Sequence, residues 1–146
     1  QTVAALLSNA LWGRIGDRYG KLSLLQAVGR LRLVPPLAGI AIFAAATTLA
    51  PTATLFAFAI LFVFLGALIN GMTIGYLGYL MEISPNDQRP AYSAYFNALA
   101  SPAALLPLAG AAIADVSSLT VVFVVALLAA ILQLILYARL SRWEAE

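Results

Sequence analysis

The chain has no cysteine and no histidine among its 146 residues. The first absence excludes disulfides and thiol chemistry, and the second excludes imidazole bases and histidine-ligated metal sites. Charge is scarce as well: charged residues make up 10% of the chain, against about a quarter in ordinary soluble domains. With 63% of its residues hydrophobic, such a chain is expected to have the lipid bilayer as its solvent. Its net charge of +2 is small and is read as topology, with no nucleic acid as a partner. The six acids fall in loops or near helix ends, so two-carboxylate catalysis within a membrane lacks its residues. No enzyme activity, cofactor or metal site is expected. Nothing basic precedes Val3, which argues against a secretory signal peptide.

What the chain does have is a series of apolar runs cut by polar turns. Residues 1–12 begin without methionine and hold about half of the ~20 residues of a spanning helix, so they read as the cut end of one in a larger protein. A polar turn, residues 13–21, follows. Leucines interleaved with Gln26, Arg30 and Arg32 over residues 22–33 suggest a helix lying at the head-group level. Four crossings are then expected, over residues 34–50, 53–81, 91–114 and 119–137, before a tail at 138–146. The run 53–81 has no charge at all and is long enough to cross a ~30 Å core with tilt. Ala67, Gly71, Gly75 and Gly78 line its second half with small residues that admit a neighbouring helix. Pro102 and Pro107 should kink the third crossing, and Tyr137 and Trp143 should anchor the last at the interface. The expected fold is an all-α, polytopic transmembrane bundle.

On this reading all eight Lys and Arg residues fall on one side, which the positive-inside rule makes the cytoplasm, together with the C-terminus. A cell (plasma or inner) membrane is the expected location. No charged residue is expected in a central membrane position.

Within the first turn, Gly13, Asp17, Arg18, Gly20 and Lys21 fill the pattern G-x-x-x-D-R-x-G-[KR]. Gly16 and Gly20 are both candidates for the positive φ of a tight reversal. The pattern resembles the signature loop of the major facilitator superfamily of secondary transporters, although Leu22 stands where a second basic residue is common. A second polar turn resembles that family's E-x-x-P-x-x-x-R stretch, with Glu82, Pro85 and Arg89. The resemblance covers the whole chain as the C-terminal part of such a transporter, from the end of its eighth helix through its twelfth. It implies a small-molecule substrate moved by alternating access, in some members with a coupling proton or ion, and partner helices N-terminal to this chain. If protons are coupled, the titrating carboxylate should lie outside this chain.

The resemblance further implies a conformational latch: Asp17 against the start of the helix near Pro90, Arg18 paired with Glu82, and Arg89 completing the cluster. The alternative is a simple surface pairing of Glu82 with Arg89. Candidate cavity residues are Asn70, Thr73 and Tyr76 in one crossing and Ser93, Asn97 and Ser101 in the next. The last three are spaced by four and share one helical face. Interhelical hydrogen bonding is the competing role for each. A membrane scaffold or accessory subunit would use the same small-residue packing without needing a polar cavity face.

Overall fold

A computed structural model describes the backbone of residues 2–143 and the side chains of residues 8–140. Among the described residues the chain is helical, without strands: α1 (Thr2–Tyr19), α2 (Lys21–Leu31), α3 (Val34–Ala45), α4 (Pro51–Ile83), α5 (Arg89–Ala100), a 3-10 segment (Ser101–Leu105), α6 (Leu106–Val116) and α7 (Leu119–Trp143). Four segments are long and apolar enough to cross a membrane: Lys21–Ala45, Pro51–Ile83, Arg89–Val116 and Leu119–Leu140. The Trp143 side chain and tail residues 144–146 lie outside the described residues.

The first polar stretch is not a loop. α1 stays helical through Gly13 and Gly16 as far as Tyr19, and the reversal occurs at Gly20 alone, where φ is 87°. No proline interrupts Gly13–Tyr19, and an internal glycine costs a helix only about 1 kcal/mol, so nothing local ends it earlier. Gly16 instead permits close packing: a Cβ there would stand 3.1 Å from Leu24 Cδ2.

α2 also differs from the expected surface helix. Leu24 and Val28 are completely buried, and the core around them includes Trp12 of α1 and Leu68 of α4. Only a two-residue turn at Arg32 and Leu33 separates α2 from α3. Pro35 and Pro36 have no N–H to offer the carbonyls four residues back, so the ladder loosens there while the chain keeps its direction. Arg30 and Arg32 therefore lie inside the 25-residue segment Lys21–Ala45. The expected boundaries place both arginines outside the crossings; by length and composition the segment that could cross a membrane extends back over them.

Small residues set the helix register. A Cβ on Gly71 would meet the Trp12 indole at 2.7 Å, on Gly75 Leu25 at 2.8 Å, and on Gly78 Lys21 at 2.9 Å. Gly29 faces Tyr137 and Gly39 faces Phe123, so α2–α3 runs antiparallel to α7. With α4 beside α1, the ends of α1, α4 and α7 gather at one end of the bundle. Trp12 fastens α1 to α4 through a hydrogen bond from Nε1 to the Ala67 carbonyl at 2.8 Å.

The span Arg89–Val116 is interrupted where its prolines fall: Pro102 lies in the 3-10 segment and Pro107 at the start of α6. None of its residues is buried. It touches α4 through Tyr76 and Phe96, whose rings stack with centroids 5.0 Å apart. Gly110 approaches Val122 of α7.

Candidate functional site

The end of the first turn and the end of α4 border an open surface pocket of about 300 Å³, lined by residues that include Tyr19, Gly20, Lys21, Tyr79, Glu82 and Ile83; Pro85 and Arg89 of the second turn are not among its lining. Gly20 makes this geometry possible, because its positive φ sends α2 back beside α4 one residue after α1 ends. The second turn is compact. Ser84 Oγ donates back to the Leu80 carbonyl, closing the last turn of α4. The Gln88 N–H bonds the Pro85 carbonyl at 3.0 Å, and α5 starts at Arg89 with Pro90 in its first turn.

The charges at this end of the bundle, of which Lys21 and Glu82 line the pocket, are arranged differently from the implied latch. Asp17, with its side chain 77% exposed, accepts a 2.6 Å bond from Lys21 Nζ across the Gly20 turn. That is the one ion pair among the described residues. The Arg18 guanidinium carbon stands 5.5 Å from the centroid of the neighbouring Tyr19 ring. Glu82 and Arg89 are exposed, so Glu82 faces the same cavity as Lys21 without an ionic partner among the described residues. Lys21 is the more constrained cation, since its aliphatic stem crosses Gly78 and its side chain is only 19% exposed. Gly13 lies within α1 with open space around it.

The candidate cavity residues divide by helix. On α4, Asn70 Nδ2 reaches Ser8 Oγ of α1 at 3.4 Å, and Thr73 Oγ1 donates to the Ile69 carbonyl at 3.0 Å. Tyr76 is occupied by the Phe96 stack. These are interhelical or intrahelical roles of the kind that polar residues take in membranes. On α5, Ser93 and Asn97 are exposed, and Ser101 Oγ donates to its own helix at the Ala98 carbonyl, 2.9 Å away. The structure brings Tyr76 beside α5 and leaves the Ser93–Asn97 face open.

One polar cluster escaped the sequence reading. Arg32 Nη1 donates to Gln133 Oε1 at 2.9 Å, joining the α2–α3 turn to α7. Gln133 Nε2 donates in turn to Tyr137 Oη at 2.9 Å, and all three side chains surround Met72 Sδ of α4. Gln26 Nε2 reaches the Tyr137 carbonyl at 3.4 Å. Tyr137, expected to be an interface anchor, is thus held in a helix seam with its ring against Gly29. The available signal was two isolated polar residues in apolar runs, and their separation of 101 positions hid the pairing.

Set against known proteins, no family model, curated protein or solved structure matches the chain.

Proposed function

We propose that the chain is the C-terminal part of a major facilitator secondary transporter, moving a small solute across a cell membrane by alternating access. Its C-terminus would face the cytoplasm. The observation that carries this reading is that Lys21 of the first signature-like stretch and Glu82 of the second border one open pocket at one end of an apolar bundle. Charged side chains at such a junction can hold two helices together in one state and release them in another. In such a latch the Lys21–Asp17 pair would give way to an Arg18–Glu82 pair in another state. The open face of Ser93 and Asn97 on α5 suits a polar pathway lined by further helices of the full-length protein, because such a face is unfavourable against lipid.

The test uses the full-length protein with single cysteines at Ser93 and Asn97, any other cysteines having been replaced. Membrane-impermeant thiol reagents are applied from each side in turn. A transporter should expose these positions to both sides, with the balance shifting when the charges at the turns are altered. Labelling from neither side, under every condition, would favour the scaffold reading.

A further inference from the structure

We infer that Arg32 is the core of an intramembrane oxyanion site, taking a phosphate or carboxylate group on the free edge of its guanidinium. The inference rests on the membrane reading of the helices and not on transport. A protein that bound anions at Arg32 and moved no solute would leave it standing.

Position comes first. Arg32 lies about midway along the segment Lys21–Ala45, roughly 16 Å from Lys21 at the α-helical rise. A charge at that depth is costly and calls for a partner. The chain supplies a neutral one. Gln133 Oε1 accepts from Nη1, and the amide is oriented for this by giving its own N–H to Tyr137 Oη. Met72 Sδ, 4.0 Å from the same nitrogen, is only a weak acceptor. Both contacts use Nη1, so Nη2 and Nε have no protein partner among the described residues, and the side chain is exposed.

Among the described residues the helices around Arg32 bring no counter-charge near it. α2, α3 and α7 contain no Asp or Glu. The acid of α4 is Glu82, about 15 Å along the helix from Met72, and Asp17 is taken by Lys21. An exposed arginine fixed through one nitrogen, with its other donors unpaired among the described residues, presents the planar fork that oxyanions fit in bidentate fashion. The ligand is therefore an anionic oxygen group, either the phosphate of a phospholipid entering from the bilayer or a soluble phosphate or carboxylate.

The experiment places the full-length protein in lipid nanodiscs and follows its thermal unfolding. One arm exchanges a phosphate-free neutral glycolipid for phosphatidylglycerol, and the other keeps the glycolipid and titrates inorganic phosphate or acetate. Stabilisation in the first arm alone identifies a lipid phosphate, and stabilisation in the second identifies a soluble anion. In either arm Arg32→Gln should abolish the effect. Because that variant could fail to fold, Gln133→Glu is the companion: it supplies a carboxylate within reach of Nη1, so the protein should fold while its apparent anion affinity falls about tenfold or more. Arg139→Gln, at the exposed end of α7, should leave the anion effect intact. Anion-independent stability in both arms, or an undiminished anion effect in Gln133→Glu, would overturn the site.

Discussion

The two parts of this molecule are built from similar amino acids and packed in opposite ways. Among α1, α2–α3, α4 and α7, glycines of the first three sit where a neighbour's side chain needs the space, as Gly39 does for Phe123 of α7, and bulky residues such as Trp12 and Leu24 are enclosed. In α5 through α6 the special residues are prolines; the helix breaks into a 3-10 turn, and nothing is buried. Since lipid solvates apolar side chains as well as a protein interior does, hydrophobicity alone cannot bring membrane helices together. Close approach can, because it adds dispersion contacts and interhelical hydrogen bonds. The glycine-lined seams supply that approach, and the proline-interrupted segment presents its polar face outward.

The strongest way to break this comparison is to add a methyl group in each part. Gly71→Ala would place Cβ 2.7 Å from an indole already pinned to the Ala67 carbonyl, so the ring cannot turn aside. Overpacking of this kind costs about 1 to 3 kcal/mol. Gly110→Ala, with its nearest neighbour at 4.0 Å, should be neutral or slightly stabilising through helix propensity. Unfolding midpoints of the full-length protein in detergent would compare them, and equal losses would remove the distinction between the two parts.

A somewhat smaller contrast comes from truncation. Leu24→Ala removes a fully buried side chain at the α1–α2–α4 junction and should cost about 2 kcal/mol, mostly as a lost-packing term. Leu106→Ala, 66% exposed on α6, should change stability by under about 0.5 kcal/mol. A large effect at Leu106 would show that α6 is packed against helices beyond this chain, which is the arrangement a transporter bundle requires.

Much of the packed part was legible one residue at a time, but its pairings were not. The stripe Gly71, Gly75 and Gly78 announced a close contact, and the proline-rich turn after Ile83 and the break near Pro102 followed from missing N–H groups. Gly16 misled because a glycine that permits turning and one that permits packing look alike locally; only the arrival of Leu24 against it separates the two. Arg30 and Arg32 suggested a surface helix, and the partner of Arg32 could not be read because it lies in the last helix. At the turns, the residue types were legible, whereas the exchange of Asp17 toward Lys21 depended on where the reversal falls.

The smallest expected stability effect lies at the shared end of the two turns, where it carries the most functional information. The Lys21–Asp17 bond is short, yet Asp17 is 77% exposed, so solvent screening limits the pair to about 0.2 to 1 kcal/mol. Asp17→Asn should scarcely move the unfolding midpoint. If the turns act as a latch, the same change frees Lys21 toward Glu82 and shifts the balance between closed and open states several-fold, because even about 1 kcal/mol does so in a nearly balanced equilibrium. Accessibility of a thiol probe at the turns of the full-length protein would register the shift. Arg18→Ala combined with Glu82→Ala supplies the decisive comparison. Their effects on accessibility should fall short of additive if the two residues meet in one state, since the second substitution then removes an interaction already lost. Strict additivity would mean that Arg18 stays on Tyr19 and Glu82 stays unpaired in every state, leaving Gly20 as a turn between two helices and no more.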